Sequence, residues 1–380
     1  MKKILFLGFN RDYISPYADI ILNILGSIMD ISFYGPGYSS QKELDLGIDQ
    51  WIVNQEQYDF IMIDCVVATW SNDLQGIDVE KMFSTANLKF DTNIFLKFVN
   101  QFYTFFNKSS QKKIILANWD GYNLKKYIAD FVTKTNSLVI DFQGTMIDSV
   151  ESINKKYPFK KLNLNDNWFN FIKQNKERII TVPHTIYSSE FDLSPLENRK
   201  HNFTVVGSGY FERKKALKMT TLSFRTQSFI SKLRLYINMQ FSIKMTSARL
   251  NNYQFHYYDI ISNSKSSFCS GGPMLYGVRK YFEIPSRGTV AIGWDCSGFN
   301  DMGFMDGVNF LKVKNNIEIK DILESYSVEE LQKIANEGRM LIWRNHSDWA
   351  RKKQLLETFN LISEGKFNGS YWEKGTYKHY

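Results

Sequence analysis

The sequence predicts an α/β protein with parallel sheets, built as two units. Three observations carry that prediction. Short apolar or β-branched runs ending in Gly, Asn or Asp alternate with longer stretches of helical spacing, the pattern of strand–helix–strand units in a parallel sheet. The alternation stops at a polar stretch, residues 188–200, and restarts after it. A length of 380 residues suits two domains better than one.

In the first half, residues 3–8, 31–35, 58–66, 112–118 and 138–142 read as strands, with helical spacing over 14–29 and 91–106 between them. The start imitates a signal peptide, but Asn10-Arg11-Asp12 ends its apolar run before the usual hydrophobic length of about 7 to 15 residues, so a first strand explains it better. Residues 1–190 are expected to form a Rossmann-like N-terminal domain. In the second half, 202–206 is a strand entering Gly207-Ser208-Gly209, and 212–239 has the spacing of a helix. Residues 266–269, 289–293 and 308–313 add strands. Ser327-Val328-Glu329-Glu330 is a capping box opening a helix toward Trp343, because the serine hydroxyl and the glutamate each satisfy an orphan backbone N–H. A last helix follows from 348 to about 362. Residues 191–347 make the expected second domain, and 348–380 are expected to pack back on the first. The tail, 366–380, carries Tyr371, Trp372, Tyr377 and Tyr380 without clear periodicity.

Composition limits the function classes. With 43% hydrophobic residues, 30 Phe, 21 Tyr and 8 Trp, the chain can bury a large core, which excludes wholesale disorder. The longest apolar candidate, 19–31, is broken by Asn23 and Asp30 and falls short of the roughly 18 to 20 residues of a membrane span. Cys65, Cys269 and Cys296 are odd in number and far apart, giving neither a disulfide framework nor a zinc pattern and pointing to a reducing cytosol. No His, Cys or carboxylate cluster has metal-ligand spacing, so neither a metal nor another cofactor is expected.

Charge is uneven along the chain. Residues 1–150 hold 13 basic and 17 acidic side chains, a balance of −4, against +8 for the whole, so the remainder carries +12. Between Arg199 and Arg249 eleven cations, among them Arg199, Arg213, Lys214 and Lys215, face one acid, Glu212. Three anions fit such a segment: the diphosphate of a nucleotide, an acidic membrane surface, or a nucleic-acid backbone. For any single lysine the competing explanation is a solvated helix face.

The most informative stretch is 258–292. It reads helix, strand ending at Cys269, glycine loop Ser270-Gly271-Gly272, helix carrying Arg279, Lys280 and Glu283, then Gly288 and a strand. A glycine pair after a strand lets backbone N–H groups approach a phosphate. A glutamate one turn into the next helix can accept two hydroxyl hydrogen bonds from a ribose.

These residues resemble the donor-binding half of GT-B glycosyltransferases, and bacterial spore-maturation or CgeB-like glycosyltransferases in particular. A local likeness to exostosin-type sequences lies in the Ser-Lys, Phe-Cys and Gly positions. The likeness covers about 203–351; the N-terminal half agrees only in its alternation. It implies two Rossmann-like domains facing a cleft, a UDP-type nucleotide-sugar donor held by the C-terminal domain, and an acceptor held by the N-terminal one. Carried over by residue, Glu283 matches the ribose-binding glutamate, and Gly271 and Gly272 the loop beside the donor. Gly207 and Ser208, with Arg213 and Lys214, match the glycine turn and basic pair that neutralise the diphosphate; Arg279 and Lys280 are second candidates. One departure stands out: many retaining members carry a second glutamate eight positions before the first, and here that position is Leu275.

Competing explanations attach to each residue. Glu283 as a solvated helix carboxylate is opposed by its place between an aromatic pair and an apolar strand. His184 and His346 fit structural roles better than catalytic ones, and the cysteines fit core thiols. For an acceptor base, Asp120 after the fourth strand comes first and Asp12 after the first strand second, each with a turn or cap role as its rival. The expectation is therefore a metal-independent glycosyltransferase of cell-surface glycan synthesis with a glycan or lipid-linked acceptor, located in the cytoplasm, with a peripheral place on the inner face of an anionic membrane as its variant. The alternatives are a phage-type DNA glycosyltransferase, with nucleic acid as partner, and a non-catalytic nucleotide-sugar-binding protein.

Overall fold

The computed structural model describes residues 1–10, 20–52, 58–65, 92–117, 122–142, 151, 155, 167–207, 211–217, 257–272, 275–314 and 318–380. Asp12, Asp120, Ser208 and residues 218–256, which hold much of the basic segment, lie outside them.

The first sheet has six parallel strands in the order β2-β1-β3-β4-β5-β6: β1 (Lys3–Leu7), β2 (Asp30–Tyr34), β3 (Phe60–Asp64), β4 (Lys112–Ala117), β5 (Leu138–Asp141) and β6 (Ile179–Thr181). Its central strands read as largely apolar runs because both faces are covered, whereas the edge strand β2 buries only Tyr34. Leu5, Leu7, Ile61, Ile63 and Ile115 point into one cluster with Phe98, Phe102, Phe105 and Phe106 of helix α4 (Thr92–Lys108). Ile4, Phe6, Phe60, Met62 and Ile114 point the other way, toward helix α1 (Ile20–Gly26). β6, only three residues long, was not anticipated; its Ile-Ile-Thr is too short to show a period.

The second sheet is also parallel, ordered β10-β9-β8-β7: β7 (His201–Thr204), β8 (Ser264–Cys269), β9 (Val290–Gly293) and β10 (Leu311–Lys312). β8 buries Ser264, Ser266 and Ser267, which is tolerable because each hydroxyl is bonded: Thr204 Oγ1 donates to Ser264 Oγ at 2.9 Å, Ser266 Oγ to the Asn202 carbonyl at 2.7 Å, and Ser267 Oγ to the Thr204 carbonyl at 3.3 Å. The expected strand over 308–313 shrinks to β10. Before it, Asp306 and Asn309 turn the chain instead: Asn309 Oδ1 accepts from Met305 N and Asp306 Oδ1 from Lys312 N, both at 2.8 Å.

Helix α10 (Val328–His346) opens on the expected capping box, Ser327 with Glu330. Helix α11 (Asp348–Ser363) is capped by Ser347 and places Leu355, Phe359 and Ile362 in the apolar cluster of the first sheet. The tail is ordered as a hairpin of β11 (Ser370–Glu373) and β12 (Thr376–His379). Its two-residue turn, Lys374-Gly375, has φ of 49° and 82°, the left-handed pair that a tight hairpin requires. Trp372 is buried; its Nε1 donates to the Thr181 carbonyl at 3.0 Å and its ring stacks on His346 at 4.6 Å. Among the described residues no helix is long and apolar enough to cross a membrane.

Candidate functional site

Where β7 and β8 end, two glycine loops meet two buried cations. β7 runs through Val205 and Val206 into Gly207, whose φ of +92° favours glycine. A Cβ at Gly207 would sit 1.9 Å from Lys280 Nζ and 3.6 Å from Arg213 Nη1, so the missing side chain is what admits them. Lys280 opens helix α8 (Lys280–Ser286), is 9% exposed, and donates to the Val206 carbonyl. Arg213, on helix α7 (Phe211–Leu217), is 4% exposed, and its Nη2 donates to the Ser270 carbonyl at 3.2 Å. Ser270 Oγ donates in turn to the buried Glu212 at 2.9 Å.

The second loop is equally dependent on glycine. A Cβ at Gly271 would lie 2.5 to 2.6 Å from backbone atoms of Leu275 and Tyr276, closer than non-bonded atoms tolerate. Burial pushes the Lys280 ammonium down to about 7, and the Arg213 charge adds to the effect. Two close, dehydrated cations under backbone loops form an environment that gains from an added anion.

Glu283 lies on α8 three residues after Lys280 and is 5% exposed. Three side chains hold it: Arg279 Nε donates to Oε1 at 2.7 Å, the Tyr258 hydroxyl to Oε1 at 3.1 Å, and the Tyr257 hydroxyl to Oε2 at 2.9 Å. Burial, and then the Glu283 charge, push the Tyr257 hydroxyl well up, so it remains a donor. The Arg287 guanidinium covers the Tyr258 ring at 4.3 Å, a cation–π contact that fixes the ring.

The structure thus brings Gly207, Arg213, Gly271, Gly272, Arg279, Lys280 and Glu283 into one neighbourhood. Lys214 separates from Arg213: it is exposed while Arg213 is buried, because consecutive helix residues diverge by about 100°. Arg279 turns toward carboxylates, its Nη2 donating to both oxygens of Glu190 at 2.7 Å. Arg199, counted in the basic segment, is a buried structural clamp whose guanidinium serves the Ser264, Ser194 and Arg287 carbonyls and Thr289 Oγ1. Leu275 is 4% exposed with φ of +50°, so the position of the absent carboxylate holds a buried apolar side chain. Burial pushes both His184 and His346 down to about 3; they stay neutral at physiological pH. The three cysteines are buried and form no disulfide. Among the described residues no three His, Cys, Asp or Glu side chains gather as a metal site.

Sequence reasoning missed Tyr257, Glu190 and Glu212. The tyrosine pair on the helical turn that precedes β8 was a usable signal, since a buried tyrosine hydroxyl needs a partner. Glu190 meets Arg279 across 89 positions, and no local pattern encodes that.

No family model matches the chain, and no curated protein matches it by sequence. Among solved structures, the chain is 11% identical to Anabaena HepE in complex with UDP and glucose, with a TM-score of 0.46 over 95% of this chain and 100% of that one. It is 10% identical to a Listeria monocytogenes protein described as a UDP-N-acetylglucosamine 2-epimerase, with a TM-score of 0.41 over 97% and 99% of the two chains. It is 14% identical to the pneumococcal O-GlcNAc transferase GtfA in complex with UDP and GlcNAc, with a TM-score of 0.33 over 71% and 60%.

Proposed function

We propose that this chain is a GT-B glycosyltransferase that moves a sugar from a nucleotide-sugar donor to an acceptor hydroxyl. One observation carries the proposal: Lys280 and Glu283 project from the same turn of α8 beside two glycine loops, with Arg213 against the first of them. That arrangement suits a diphosphate and the ribose attached to it, with Lys280 one helical turn from a carboxylate and Arg213 beside it.

In this reading Lys280 and Arg213 receive the diphosphate and stabilise the charge that builds as the glycosidic bond breaks. Glu283 takes the ribose hydroxyls. A carboxylate offers about four acceptor positions and three donors already occupy Glu283, so a ribose diol exchanges with at least one tyrosine hydroxyl. Asp120 or Asp12 would take the acceptor's proton if transfer inverts configuration. Catalysis without a bound metal, a cell-surface glycan or lipid-linked acceptor, and contact with an anionic membrane belong to the same proposal.

Calorimetry with UDP and UDP-sugars, followed by detection of donor hydrolysis in the presence of EDTA, tests the reading. Binding and slow hydrolysis are expected, both lost in Glu283→Ala. A folded protein that binds no nucleoside diphosphate sinks it. The buried Leu275 favours a second reading, a nucleotide-sugar-binding protein without transfer; binding with no hydrolysis under any acceptor would support that instead.

A further inference from the structure

Residues 182–190 connect the edge strand of the first sheet to the segment leading into the second, and two guanidinium groups, the buried Arg351 and the partly buried Arg279, grip them. From α11, Arg351 Nε donates to Thr185 Oγ1 at 3.0 Å and Nη2 to the Pro183 carbonyl at 3.2 Å. From the start of α8, Arg279 Nη1 donates to the Thr185 carbonyl, and Nη2 forms the paired bonds to Glu190. Glu190 also caps its own turn, accepting from Tyr187 N at 2.8 Å. Arg351 reaches only neutral acceptors in these contacts. Arg279 instead shares one rigid plane between the connector and Glu283, with side-chain exposures of 10% for Arg279, 12% for Glu190 and 7% for Glu283.

We infer that Arg279 is a positioning residue that couples occupancy of Glu283 to the placement of the connector. The inference rests on the donor-site reading and deepens it. A guanidinium presents its donors in a fixed fork, so Nε cannot stay on Glu283 in the same geometry if Nη2 leaves Glu190. A connector pulled off Arg279 therefore releases one of the three donors that orient Glu283, and the nucleotide meets a carboxylate no longer held for it. By linkage the effect is reciprocal: a nucleotide that requires the oriented Glu283 favours the clamped connector by the same factor.

The test uses the full chain and UDP as probe. Glu190→Gln keeps an acceptor for Tyr187 N but weakens the bidentate ion pair; Arg279→Lys keeps the charge but cannot serve both carboxylates. UDP affinity is measured by calorimetry, and amide hydrogen exchange over residues 184–190 is followed with and without UDP. In the wild type, UDP slows exchange in the connector. In Glu190→Gln, UDP affinity falls about fivefold or more, the lower bound of typical coupling, and UDP-dependent protection of the connector is lost. Arg279→Lys does the same, and the double variant adds nothing further. A purely structural role would lower protection with and without UDP alike and leave the difference intact, which overturns the coupling. So does wild-type affinity in a folded Glu190→Gln. Failure of the wild type to bind UDP or any other nucleoside diphosphate overturns the donor site itself, and the coupling with it.

Discussion

Replacing Lys280 by methionine separates a ligand site from a structural contact, because the two roles predict opposite signs. The folded chain holds this ammonium at a pKa of about 7 against the model-peptide value of 10.5, chiefly through burial. At 1.36 kcal/mol per pH unit, keeping it charged in the fold costs about 5 kcal/mol. The unfolded state therefore binds more protons between pH 7 and 10.5, and stability from this group rises with pH across that window. Methionine removes the charge and keeps an apolar stem of similar length. Lys280→Met is expected to melt higher than the wild type near pH 7, by about 1–4 kcal/mol as for other buried ions replaced by apolar groups, and to lose the upward slope toward pH 10. Binding moves the other way. A charge-assisted hydrogen bond is worth about 1.5–3 kcal/mol, so UDP affinity near pH 7 falls roughly 10- to 150-fold. In the wild type the affinity drops as pH is raised from 7 to 9, where the phosphate charge is nearly constant, and converges on that of Lys280→Met. Calorimetric titrations over this range, paired with thermal melts, read both. A variant that loses stability and binds UDP as the wild type does would refute the assignment.

Two further outcomes follow from the packing. Gly207→Ala places a methyl 1.9 Å from Lys280 Nζ on a backbone at φ +92°; the left-handed conformation costs about 1–2 kcal/mol, and displacement of the ammonium should weaken UDP beyond that, as chemical denaturation and calorimetry on one sample would show. Trp372→Ala removes a 5%-exposed ring stacked on His346, lying under Arg351 at 5.3 Å and bonded to Thr181. It should cost about 3–5 kcal/mol in urea denaturation, and a cost below about 1 kcal/mol would mean that the hairpin is not anchored through His346 and Thr181.

What was legible in the sequence was local. The central strands β1, β3, β4 and β5 of the first sheet announce themselves as largely apolar runs, since helices cover both faces. The capping box at Ser327 and Glu330 needs only four residues to be recognised. The elements missed lacked such signals: β6 has three residues, and the hairpin's Lys374-Gly375 turn joins strands of four residues each, too short for their alternation to stand out. The candidate site divides in the same way. Glu283 and the glycines of the second loop, Gly271 and Gly272, sit in one continuous stretch, and Arg279 lies four residues before Glu283, within reach of inspection. Lys280 meets the Val206 carbonyl across 74 positions, a separation that no window of sequence spans.

The basic segment shows why a charge count locates a region but not a site. Its cations looked equivalent in sequence, yet they divide by partner. Both Nη groups of Arg199 are taken up by the Ser264, Ser194 and Arg287 carbonyls and Thr289 Oγ1, which ties the chain before β7 to β8 and to the turn before β9. Lys214 and Lys215 face solvent, where water screens them and each contributes little to a bound anion. Arg213 and Lys280 are different because they are dehydrated and close to each other. Their mutual repulsion is a cost that folding has accepted, and an anion placed between them removes it. Electrostatic attraction of an anion across the basic surface is a property of the sum of charges, whereas the proposed selection of a diphosphate rests on Lys280, whose charge burial and Arg213 make unfavourable without it. Neutralising exposed Lys214 and Lys215 together should therefore slow UDP association at low salt while leaving its dissociation rate nearly unchanged. Loss of Lys280 should raise the dissociation rate instead, and stopped-flow kinetics that found the reverse would place the anion outside this pocket.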